Sequence, residues 1–116
     1  MTLSSLHHEQ LDVYKAATEF LVVATRSTGH FPRGYSTLAD QLRRAALSIP
    51  LNIAEGYGKR GPAERGRFYD IARGSAHECG AIMDAAKILE IVDADTFSVA
   101  KTLLHRIVSM LVKIGQ

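Results

Sequence analysis

At 116 residues the chain is sized for one domain, and residues 1–116 read as a single folded unit around one core. Hydrophobic residues at 47% and charged residues at 22% exclude a disordered or fibrous chain, and the longest apolar run, Phe20–Ala24, falls far short of the roughly 20 residues that cross a bilayer. The net charge of +2 is too small to mark a nucleic-acid binder by itself, but seven basic residues face only three acidic ones between Arg43 and Arg73, so the remainder is slightly acidic.

The N-terminus, MTLSSLHHEQ, has no basic segment leading into an apolar one, so no secretory signal is expected. The lone Cys79 permits no internal disulfide. Both features point to the cytoplasm, without a membrane partner.

Apolar residues recur at helical spacing along the chain, and no segment of strict alternation competes with them. The first stretch, about Ser5 to Arg26, repeats through Leu6, Tyr14, Ala17, Phe20, Leu21 and Ala24 and stops at "STGHFPRGYS". Thr37 and Asp40 stand in capping-box spacing and predict the start of a second helix, which buries Leu38, Leu42, Ala45, Ala46, Ile49, Ile53 and Tyr57. Pro50 lies inside it and removes an N–H, so a local kink is expected.

The run "AEGYGKRGPAER" carries Gly56, Gly58 and Gly61 in the spacing of a dinucleotide-binding loop. That loop needs a parallel strand before it, and the residues before Gly56 are helical. Gly56 and Gly58 are therefore expected to stop the second helix, and Gly61-Pro62 to start the third. Lys59 and Arg60 beside a helix N-terminus form either a solvated turn or a place that holds a phosphate.

The third helix takes Pro62 at its first position and Glu64 in its first turn, with an apolar line of Phe68, Ile71, Ala72, Cys79, Ile82, Ala86 and Leu89. "VDAD" then separates it from a fourth helix capped by Asp93 or Asp95, which carries Phe97, Ala100, Leu103, Leu104, Ile107, Val108, Leu111 and Ile114. Val99, Met110 and Val112 widen that stripe beyond one core seam, and the surplus reads as a subunit interface. Four such helices with short connections predict an all-α fold, an antiparallel up-and-down four-helix bundle.

Catalytic chemistry lacks a candidate, and no metal or cofactor is expected. His77, Glu78 and Cys79 are consecutive, so on a helix they point about 100° apart and cannot converge on one ion. Gln41, Arg44, Ser48, Asn52 and Glu55 follow steps of three and four on the second helix, which places them on one polar face. That face is either solvated, with Arg44 and Glu55 paired, or an interface for a subunit or partner.

The run "QLRRAALSIPLNIAEGYGKR", Gln41–Arg60, and the following "FYDIARGSAHE" resemble the bacterial four-helix-bundle family of the 23S ribosomal RNA intervening-sequence proteins. The matching positions run from Gln41 to Gly56 and then take in Phe68, Ile71, Ala72, Gly74, Ser75 and Glu78. The resemblance implies a bundle that assembles as a homo-oligomeric ring, usually a pentamer, without established enzymatic activity. Related accessory proteins of diversity-generating retroelements share the fold and are thought to engage nucleic acid and a reverse transcriptase through basic surface.

The sequence thus predicts a non-enzymatic accessory protein that binds nucleic acid, RNA foremost, with Arg43, Arg44, Lys59, Arg60, Arg65, Arg67 and Arg73 as phosphate contacts. Few aromatic residues lie near them apart from Tyr57 and Tyr69. Gln41, Ser48, Asn52, Glu55 and Glu78 are the candidate subunit or partner contacts. The alternative is an oligomeric protein-binding scaffold that touches no nucleic acid.

Overall fold

The periodic stretches become four α-helices in a computed structural model that describes residues 7–115. They are α1 (Asp12–Thr28), α2 (Ser36–Tyr57), α3 (Pro62–Ile88) and α4 (Ala94–Ile114), preceded by one 3-10 turn, His7–Gln10. Each helix packs against two others in the cycle α1, α2, α3, α4 and back to α1, which is the four-helix bundle expected from the spacing. The centre is closed by Phe20 of α1, Leu42, Ile49 and Ile53 of α2, Cys79 and Met83 of α3, and Ile107 of α4, all fully buried. None of the helices is long and apolar enough to cross a membrane.

The helix ends follow local chemistry, and several differ from the sequence expectation. α1 begins at Asp12 because Leu11 is extended (φ −71°, ψ 131°) after the 3-10 turn; Ser5 and Leu6 lie outside the described residues. Its end reaches Thr28, whose hydroxyl donates back to the Thr25 carbonyl at 2.9 Å. The Thr37 capping box does not form: the N-cap lies two residues earlier, at Tyr35, and no side chain accepts from the first turn. Gly34, at φ +101°, turns the chain into that start, a backbone conformation that suits glycine. α2 then runs without a break through Pro50.

Gly56 does not stop α2. The helix continues to Tyr57 and is capped by Gly58. Gly56 answers instead to close packing, since a Cβ there would stand 2.8 Å from Cε1 of Tyr69 and 3.1 Å from Cβ of Phe68. α3 starts at Pro62 as expected and, at 27 residues, extends roughly 40 Å. Ile71 and Leu89, which share its apolar line in sequence, are both exposed.

The end of α3 and the start of α4 are closed internally. Glu90 takes the left-handed position (φ 60°), its N–H donates to Lys87 and that of Ile91 to Ala86, a pair of bonds that caps the last turn of a helix. Of the two candidate caps for α4 the structure uses Asp93, whose carboxylate accepts from the Thr96 N–H at 2.7 Å and from its hydroxyl at 3.0 Å.

Candidate functional site

The seven basic residues between Arg43 and Arg73 do not form one surface. Lys59, Arg60, Arg65 and Arg67 gather at the α2–α3 turn. Arg43 lies some 20 Å back along α2, and Arg73 about 16 Å down α3, by the helical rise. These two outliers are each matched by an acid on their own helix, Arg43 with Asp40 at 3.0 Å and Arg73 with Asp70 at 3.6 Å. Arg44 stands exposed, with no carboxylate in ion-pair reach among the described residues.

At the turn the cations are held by aromatic rings and by backbone. Lys59 Nζ and Arg67 Cζ both approach the Phe68 ring, at 5.3 and 5.2 Å from its centroid, and Lys59 also reaches Glu55 at 3.5 Å. Arg65 crosses the turn: its Nε donates to the Lys59 carbonyl while its guanidinium carbon sits 5.4 Å from the centre of the Tyr57 ring. Arg60 is exposed and pairs with no carboxylate among the described residues. Spacing alone missed the Arg65 crossing, because it joins a side chain to a carbonyl six residues earlier around a bend.

The aromatic residues near these cations are poor platforms for a stacked base. Tyr69 is only 5% exposed, wedged against Gly56, and one face of Tyr57 is taken by Arg65. Burial raises the Tyr69 hydroxyl above its ordinary pKa, the Arg65 guanidinium pulls against that rise and Tyr57 adds to it.

The polar line on α2 divides into two parts. Ser48 and Asn52 turn toward α3, where the Asn52 amide donates to the Ser48 carbonyl at 2.8 Å and its hydroxyl at 2.9 Å, and Ser75 of α3 donates to the same hydroxyl at 2.9 Å. These residues clasp two helices of one protomer. Gln41, Arg44 and Glu55 remain exposed, Glu55 in its pair with Lys59.

The Ser48–Ser75 bond sets the register of two antiparallel helices. It places Leu51 and Ile71 at the same height one turn toward the α2–α3 turn, and Arg44 and Glu78 at the same height one turn the other way. Leu51 is 55% exposed, Ile71 45%, and Leu47 beside them is also exposed. Arg44 and Glu78 form no ion pair within the described residues. Sequence spacing gives no sign of this face, because Leu47 and Leu51 fall outside the apolar stripe and Ile71 sits within one. On α4, Val99 and Val112 are exposed as well.

His77, Glu78 and Cys79 spread around α3, with Cys79 buried and its thiol pushed up to about 12, first by burial and then by Glu78. A thiol with that pKa is a packing group at neutral pH and not a nucleophile. No group of three or more His, Cys, Asp or Glu side chains among the described residues is placed to hold a metal ion.

The family model described as 23S rRNA-intervening sequence protein matches residues 9–113, and the chain belongs to that family. Among solved structures it is similar to a protein of unknown function from the S23 ribosomal protein family of Bacteroides thetaiotaomicron. That match has 19% sequence identity, a TM-score of 0.83, and covers 90% of this chain and 98% of the other. At such identity the likeness establishes the fold. No curated protein matches the chain. Neither match indicates an enzymatic family or fold.

Proposed function

We propose that this member of the 23S rRNA-intervening sequence protein family is a non-enzymatic accessory protein that binds nucleic acid, RNA foremost, through the α2–α3 turn. In this reading it works as a homo-oligomeric ring, with five subunits by family resemblance. The observation that carries it is the sorting of cations. Of the three away from the turn, Arg43 and Arg73 are matched by Asp40 and Asp70 and Arg44 stands unpaired, while Lys59, Arg60, Arg65 and Arg67 collect at one end with Glu55 as their single ion-paired acid among the described residues. A ring repeats that end once per subunit around its axis, which multiplies a modest charge into a continuous cationic rim.

The test is binding of fluorescently labelled RNA across a salt series by anisotropy, with light scattering on the same samples. Affinity is expected to fall steeply with salt. Lys59→Ala together with Arg60→Ala lowers the slope of log affinity on log salt by about 0.7 for each single-strand phosphate that is no longer neutralised. Affinity that ignores salt contradicts the reading.

A second reading, an oligomeric scaffold for a polypeptide partner such as a reverse transcriptase by family resemblance, is favoured by the exposed face of Leu47, Leu51 and Ile71 beside the charges of Arg44 and Glu78, unpaired among the described residues. The same face suits contact between subunits, Arg44 of one copy meeting Glu78 of the next. Leu51→Arg separates the two uses: a drop to the 12.7 kDa protomer assigns the face to assembly, and an intact oligomer that loses a protein partner assigns it to the scaffold.

A further inference from the structure

Beside the cationic turn a cleft of about 280 Å³ opens between the first turn of α3 and the end of α4, lined by Leu11, Tyr57, Pro62, Arg65, Tyr69 and Ile114. Two side chains that line it, and the N-terminus of α3 beside it, keep hydrogen-bond donors without partners among the described residues. Tyr69 is 95% buried by its 5% exposure, yet its hydroxyl makes no hydrogen bond among the described residues. Among those residues the one fully enclosed side-chain oxygen without a partner is Ser27 Oγ, so the Tyr69 hydroxyl keeps access to the cleft its ring lines.

Arg65 is the second donor. Its Nε is fixed on the Lys59 carbonyl and its plane lies by Tyr57, but no carboxylate among the described residues pairs with it, which leaves the terminal nitrogens free in an oriented fork. The third is the start of α3, where Gly61 supplies no side-chain cap and the N–H groups of Ala63 and Glu64 precede the first intrahelical bond. No acidic side chain lines the cleft among the described residues.

We propose that this cleft binds a phosphomonoester, its phosphate held by Arg65, the Tyr69 hydroxyl and the α3 N-terminus, and its organic body against Leu11, Pro62 and Ile114. A monoester offers three terminal oxygens to three donor groups, whereas a diester in a continuous strand offers two. A tyrosine hydroxyl is protonated at neutral pH, and burial raises the pKa of that of Tyr69 further, so it stands as a donor to an oxyanion. The site shares Arg65 with the nucleic-acid reading and goes beyond it, since the contacts Lys59 and Arg60 do not line the cleft.

The test titrates the full chain with adenosine 5′-monophosphate, adenosine and inorganic phosphate, followed by calorimetry and NMR. The monophosphate binds, adenosine does not, and inorganic phosphate displaces the monophosphate. Tyr69→Phe removes one oxygen and weakens monophosphate binding about tenfold, with Arg65→Gln as the second variant expected to do the same. Lys59→Ala with Arg60→Ala leaves it within about twofold of the parent, even where RNA binding is abolished. Equal monophosphate affinity in the parent and Tyr69→Phe overturns the proposal. So does equal binding of adenosine, failure of inorganic phosphate to compete, or no binding at all.

Discussion

α3 is entered and left by two short turns that treat their polar groups in opposite ways. At its C-terminal turn the backbone N–H groups of Leu89, Glu90 and Ile91 return to carbonyls of the last helical turn, and Asp93 closes the start of α4 by accepting twice from Thr96. At its N-terminal turn Gly61 brings no capping side chain, Arg60 has no ion-pair partner among the described residues, and Arg65 is anchored by its Nε bond and the Tyr57 ring without a carboxylate. A helix end closed by its own chain adds stability and offers nothing to a ligand. One left open gives up that stability and keeps N–H groups and cations in place for an anion.

The contrast can be broken most strongly at Gly56. Its replacement by Ala drives a Cβ into the Tyr69 ring, and the overpacking costs about 2 kcal/mol, read as a lower denaturation midpoint at unchanged slope. Because the same contact seats Tyr69, this variant is also expected to lose phosphomonoester binding. Full stability in Gly56→Ala would show that the wedge is loose.

The closed turn gives a smaller, pH-dependent effect. The Thr96 backbone N–H, and then its hydroxyl, holds the Asp93 carboxyl below its ordinary pKa. A depressed folded-state value means that its contribution is present above the unfolded-state pKa and disappears as pH falls through the folded-state one. Asp93→Ala therefore lowers the thermal midpoint at neutral pH, and the gap to the parent narrows once the pH drops below about 4. A gap that is constant with pH would contradict the charged cap.

The smallest expected change is a gain. Glu90 occupies a left-handed position that glycine adopts without strain, so Glu90→Gly raises stability by about 0.5 to 1 kcal/mol despite the added freedom of the unfolded chain. Calorimetry showing a loss would mean that the Glu90 side chain contributes more than its backbone costs.

Periodicity made the four helices legible, and two single-residue signals placed real ends: Pro62 at the start of α3 and Asp93 at the start of α4. Where a helix end depended on backbone shape, sequence gave less. Leu11 is extended and delays α1 to Asp12, and Tyr35 serves as the N-cap of α2 in place of the better-suited Thr37. Gly56 shows why composition misleads: its reason is Tyr69, thirteen positions away, and only packing brings the two together.

The candidate site was legible to a similar depth. Lys59, Arg60, Arg65 and Arg67 are close in sequence and meet at one turn, but the ion pairs of Arg43 and Arg73 depend on rotamers that spacing does not determine. Ser48 and Asn52 lie on the expected side of α2, where Ser75 turns a polar face into a clasp. Leu51 already falls outside the apolar stripe of α2, but that it stands level with Ile71 depends on the register of α2 against α3, which no pattern within either helix encodes.

In the proposed function the open end of α3, and not basic residues at large, carries nucleic-acid binding. Its most direct test compares two double variants in RNA titrations across the same salt series: Lys59→Ala with Arg60→Ala, and Arg43→Ala with Arg73→Ala. The expected result is a shallower salt dependence and weaker binding for the turn pair, with the second pair close to the parent. Equal weakening in both pairs would contradict it, because charge would then act without regard to where the fold has placed it.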